Sequence, residues 1–133
     1  MKDYNLKELI PVDKFDLSGV SMLMEIDEKD IKPIIPDLLL WTVDMNWPVA
    51  TEMVKVLVRF PDIVIPYIKK ILSPSEVDEE WKWFIIVHFI PKFTKDKQEQ
   101  LLGDIRRICD YPTDGEIKEE VQEEAKSYLK SLI

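Results

Sequence analysis

Glycine is nearly absent from this chain, with three residues in 133. Antiparallel sandwiches and barrels need glycine at many tight turns, so a turn-rich all-β fold is excluded. Cysteine and histidine are scarcer still: Cys109 and His88 are single representatives. No intrachain disulfide can form, and the usual zinc sites of several His and Cys ligands cannot be assembled within one chain. A lone cysteine fits a reducing compartment. There is no glycine-rich phosphate loop and no Gly-x-Ser-x-Gly nucleophile elbow. Long apolar runs are missing too. The longest, Trp83 to Ile90, is eight residues and contains His88, whereas a bilayer span takes about 20. Met1 to Lys7 mixes charges without an apolar core, so no secretory signal is read there. The expectation is a cytoplasmic protein without membrane contact or cofactor.

Positive charge is also in deficit. Eighteen basic residues against 26 acidic ones leave a net charge of −8. That field repels a phosphate backbone, and the densest basic groupings (Lys69-Lys70, Lys92 to Lys97, Arg106-Arg107) are interrupted by acids or lie beside them. Nucleic acid is therefore not the expected partner; another protein is. The apolar content of 46% is ordinary for a packed globular chain. At this length a single domain over 1–133 is expected, large enough to fold without a metal or disulfide.

What the chain does contain is helical periodicity from about residue 28 onward. Ile31, Ile34, Ile35, Leu38, Leu39 and Thr42 form one stripe. Pro33 and Pro36 within it predict a short helix and a fresh start near Pro36. The corner Asp44-Met45-Asn46-Trp47-Pro48 follows. Asn46 is expected to cap the next helix, and Pro48 to sit in its first turn, where a missing N–H is harmless. Val49, Met53, Val56 and Leu57 then line a second helix, and Pro61 ends the segment.

A third helix from about Asp62 carries Val64, Ile68, Ile71 and Leu72. Ser73 to Glu76 has a capping-box spacing, and Asp78 offers a second start. The next helix, Trp81 to about Ile90, is apolar nearly all round and belongs in a domain centre. Thr94 opens a helix with Leu101, Leu102, Ile105, Ile108 and Cys109 on one side. Thr113 and Glu116 form another capping box. The last helix places Ile117, Val121, Ala125, Tyr128 and Leu132 on one stripe, with the glutamates of 116–124 on the solvated side.

Three helical hairpins result, roughly 36–59, 62–90 and 95–132, preceded by a cap over the first 27 residues. The expected fold is all-α: a HEAT-like α-α superhelix of about three stacked hairpins. Ile35-Pro36 and Ile65-Pro66 open the first two at equal offsets from Leu38 and Ile68, a faint internal repeat.

Several segments together resemble a known family. They are Leu9-Ile10-Pro11-Val12-Asp13-Lys14, Asp44-Met45-Asn46-Trp47-Pro48-Val49-Ala50, Trp81-Lys82, Arg107-Ile108 and Tyr111-Pro112-Thr113. The chain is similar over nearly its full length to small bacterial proteins of unknown function built from HEAT-like hairpins. The Asn-Trp-Pro-Val-Ala corner is the most specific part. The resemblance implies an α-superhelical fold and brings no active site.

The remaining residues are weighed for chemistry one by one. Cys109 and His88 are read as buried core residues ahead of a nucleophilic dyad. Asp78-Glu79-Glu80 is read as favourable charge at a helix N-terminus. The four tryptophans are read as packing before base stacking. With no catalytic set, a non-catalytic protein-binding module is the leading expectation. One alternative is an immunity-type protein neutralising a basic toxin. The other is a small enzyme or base-binding protein whose acid–aromatic pocket would use Asp44, Asn46, Trp47, Trp81 and His88.

Overall fold

A computed structural model describes residues 5–132, and every regular element among them is helical. Met1 to Tyr4, where the expected cap and the charged start begin, and Ile133 lie outside the described residues. The chain gathers into two compact units, one running to Val64 and the other beginning at Ile65.

The amino-terminal unit opens with three short helices, α1 (Leu6–Leu9), α2 (Val20–Leu23) and α3 (Glu28–Ile31). A 3-10 turn over Lys32–Ile34 carries the chain into α4 (Ile35–Leu40). Pro33 and Pro36 fall at the starts of these last two pieces, the break and restart that their ring geometry dictates. α5 (Pro48–Leu57) begins on Pro48 and buries Val49, Ala50, Met53, Val54, Val56 and Leu57. It packs against α2 and α4, whose Leu23, Leu38 and Leu39 are likewise buried. Arg59 fastens the end of this stripe to the cap: its guanidinium donates to Leu23 O at 2.6 Å and to Ile26 O at 3.2 Å.

The unit boundary falls within α6 (Pro61–Ile71), which carries Pro66 in its interior. Pro36 starts a helix whereas Pro66 does not, so the equal spacing of the two prolines marks no equivalent position. Ser73 to Glu76 forms a turn, with the Ser73 hydroxyl returning to Lys70 O at 2.7 Å. The helix start lies at Asp78, whose carboxylate accepts from Trp81 N at 3.0 Å.

α7 (Glu79–Phe84) passes into a π-helical turn over Ile85–Phe89 and a 3-10 turn over Ile90–Lys92. Pro91 lacks the N–H that would continue the α-helical ladder there. α8 (Lys95–Glu99) and α9 (Leu102–Asp110) replace one long helix, as do α10 (Asp114–Lys118) and α11 (Val121–Ser131). The second break sits at Glu120, the one described non-glycine residue with positive φ, at 64°. That left-handed residue redirects the stripe. Val121, Ala125 and Tyr128 are buried, while Ile117 and Leu132 stay about half exposed, at 53% and 49%. α11 packs on α9, on α7 and on the π turn, and these elements form the core of this unit.

Candidate functional site

In the amino-terminal unit the corner 41–47 holds three of the five expected binding residues. Asp44 organises it: Oδ1 accepts from Asn46 N at 2.9 Å, and its carbonyl accepts from Trp47 N at 3.1 Å. Trp47, not Asn46, occupies the cap position of α5, with extended ψ and no side-chain cap bond. A turn closed by the Asp44 carboxylate has already taken the Asn46 amide, which leaves Asn46 one position too early and exposed. Trp41 and Trp47 are half-buried and pack on each other, ring centroids 5.4 Å apart and tilted by 58°.

Trp81 and His88 belong to the carboxy-terminal unit. Trp81 is half-buried in the first turn of α7. His88 is exposed, contrary to its expected burial. The wider π turn rotates it out of the core stripe, and it rests against Trp83 and Phe84 at 5.7 and 5.5 Å between ring centroids. Cys109 is half-buried on the flank of α9, and burial pushes its thiol pKa up, aided by the neighbouring Asp110 charge. A thiol so placed stays protonated and is a poor nucleophile.

Sequence reasoning missed the densest chemistry in the chain. Lys82 is fully buried on α7, between Trp81 and Trp83. Its ammonium meets Glu116 Oε2 at 2.8 Å and Glu79 Oε1 at 3.3 Å. Glu116 is not on the solvated side of the last helix. It is buried, and the Arg107 guanidinium grips it with two parallel bonds of 2.5 and 2.7 Å. The capping box anticipated at Thr113 is present: Thr113 N donates to Glu116 Oε1 at 2.8 Å, and Glu116 N donates to Thr113 Oγ1 at 3.1 Å. Arg107 also donates to Leu72 O at 2.6 Å, tying α9 to the end of α6. Each oxygen of Glu116 thus accepts two hydrogen bonds. The signal available in the sequence was Lys82 between two tryptophans at the head of the largely apolar stretch Trp81–Ile90.

The two acids of this cluster titrate in opposite senses. Burial alone would raise Glu116, but the Arg107, Lys82 and Thr113 hydrogen bonds outweigh it and hold the carboxyl at about 2. For Glu79 burial is the largest influence and wins, lifting its carboxyl above the usual value despite Lys82 beside it. Glu79 Oε2 is buried without a hydrogen-bond partner. It lies against Gly115, where a Cβ would sit 3.2 Å from that oxygen and 3.1 Å from Cδ. No described group of His, Cys, Asp and Glu is placed to hold a metal ion. The cluster ties three helices together, with Lys82 and Glu116 enclosed and Arg107 at its edge.

A different surface is open. Between α1 and α2 the chain presents Val12, Phe15 and Leu17, exposed at 83%, 66% and 46%, with Met22 and Met24 further along. Local bonds fix the backbone beneath them. Asp16 accepts from Val12 N at 3.0 Å and from the Ser18 hydroxyl at 2.6 Å, and Asp13 accepts from Phe15 N at 2.9 Å. The Ser18 hydroxyl foremost, then the Val12 and Ser18 backbone N–H groups, hold the Asp16 carboxyl below its usual pKa. Lys14 O receives Val49 N at 3.2 Å, which pins the segment to α5. At its far end Gly19 passes Leu9 so closely that a Cβ would fall 2.7 Å from Leu9 O. Only glycine permits that approach.

No curated protein matches the sequence. Residues 9–129 match a family pattern, and with nearly the whole chain covered the protein belongs to the family DUF5071, a domain of unknown function.

Proposed function

We propose that this chain is a non-catalytic protein-binding module that captures its partner through the apolar segment 12–24. The observation that carries this reading is Phe15, exposed at 66% on a backbone already fixed by Asp13 and Asp16. Ordering a loop before binding removes an entropic cost that association otherwise bears, and aromatic side chains, Phe among them, are enriched at protein interfaces. A partner of net positive charge suits a chain of −8, which favours the immunity-type reading, in which a basic toxin is neutralised. The wider setting is a HEAT-like α-α superhelix of stacked hairpins in a bacterial cytoplasm, as the hairpin spacing and the family resemblance suggest.

The test compares wild type with Phe15→Ala and Val12→Ser immobilised at equal density. Proteins from the native lysate that wild type retains, and both variants release, support the reading if retention weakens as salt rises. Identical retention by all three, with unchanged thermal midpoints, removes it.

A further inference from the structure

We infer that the carboxy-terminal unit carries a binding site for a small organic carboxylate with an apolar tail, in the cleft between α8, α9 and α11. The cleft has a volume of about 400 Å³, within the usual range for small-molecule sites. Lys95 and Arg106 line it from α8 and α9. Neither has an ion-pair partner among the described residues, whereas Lys55, Lys69, Lys82, Arg107 and Lys126 each have one. Two cations without an ion-pair partner among the described residues share this cleft with one carboxylate, Glu99, so the cleft is a local exception in a chain of net charge −8.

The other polar groups narrow the ligand further. The Tyr128 hydroxyl donates to Gln98 Oε1, and Gln98 Nε2 donates to Phe93 O at 2.7 Å. The Gln98 amide is thereby held in place with its carbonyl and one amino proton engaged. Burial raises the Tyr128 pKa, so its hydroxyl keeps that proton. Lys95 and Arg106 are left as the charged donors for a guest. A guanidinium presents a planar fork that matches a carboxylate with two parallel bonds. Glu99 lines the same cleft and repels a second negative charge, so a monoanion is preferred to a dianion. Leu102 and Leu132 also line it, and Leu132 is about half exposed. Together they offer an apolar surface for a short alkyl tail.

The probe is hexanoate, titrated into isotopically labelled full-length protein and followed by amide chemical shifts. Saturable shifts confined to residues around 98–106 and 128–132 are expected. Lys95→Ala/Arg106→Ala, on two exposed positions, should weaken hexanoate at least about tenfold. Hexylamine, with the same tail and opposite charge, and inorganic phosphate, with charge and no tail, should each bind more weakly than hexanoate. The inference is overturned by a linear, unsaturable response to hexanoate. Equal affinity in the double variant overturns it as well, and so does phosphate or hexylamine binding as tightly as hexanoate.

Discussion

Lys82 and Glu116 form an ion pair of 2.8 Å in which neither side chain reaches solvent. Removing two such charges from water costs several kcal/mol each, and their attraction offsets this only when every remaining lone pair and proton is matched. Glu116 meets that condition, since Arg107 and Thr113 supply the bonds that Lys82 does not. Glu79 does not meet it, because one of its buried oxygens has no donor. The stability of the carboxy-terminal unit therefore depends unequally on the members of one cluster.

Glu116→Gln should destabilise the protein by about 3–5 kcal/mol, because Arg107 loses the anion that compensates it and Lys82 is left with Glu79 alone. Lys82→Met should cost less, since Glu116 keeps the Arg107 fork and the Thr113 amide. Denaturant unfolding of the two variants measures the difference. Equal losses would contradict the division of roles described above.

The pH dependence carries two opposing signatures. Glu116 is held at about 2 against a usual 4.5, so its contribution of about 3 kcal/mol is complete above the unfolded value and is lost as pH falls from 4.5 towards 2. Glu79 is raised in the folded protein, so its favourable contribution exists below the unfolded value and disappears as pH climbs through the folded one. Glu79→Gln should consequently raise the thermal midpoint at pH 7 and leave it nearly unchanged near pH 4. A lower midpoint at pH 7 would show that the Lys82 contact outweighs the burial of Glu79.

Gly115→Ala places a methyl group against the Glu79 side chain, which Lys82 holds in position. A loss of about 1 kcal/mol is expected in the parent. In a Glu79→Ala background the same change should become neutral or stabilising, as alanine normally is within a helix. Gly103→Ala serves as the reference. Its Cβ would meet nothing within 4 Å, so a gain of about 0.5–1 kcal/mol is expected.

Trp47→Ala should cost about 2 kcal/mol, below the 3–5 kcal/mol typical of a fully enclosed aromatic residue. Trp47 is half-buried and its main aromatic contact is Trp41. Trp41→Ala/Trp47→Ala should be less destabilising than the sum of the single changes, because the two share one contact. Strict additivity in a thermal or denaturant series would rule out that sharing.

The helices were legible where one stripe had a single interpretation. Val49, Met53, Val56 and Leu57 recur at helical spacing, and all four are buried on α5. Pro36, Pro48 and the pair Thr113–Glu116 act through bonds within a few residues, so their roles could be read directly from the chain. Misreadings arose where the backbone departs from a regular α-helix. The π turn moved His88 outward, and the left-handed residue Glu120 took Ile117 off the stripe of α11. Asn46 failed as a cap because Asp44, two residues earlier, had already closed the turn.

The sequence by itself determined that the described residues are helical, and it placed corners such as those at Pro48 and Thr113, because periodicity and turn chemistry act over a few residues. Only the tertiary structure decided that Lys82, Arg107 and Glu116 meet in a buried cluster, and that Val12 and Phe15 stand exposed on a fixed loop. Lys82 and Glu116 are 34 positions apart. Whether a charge is paired in the interior or solvated depends on which distant side chain arrives opposite it, and no local pattern encodes that meeting.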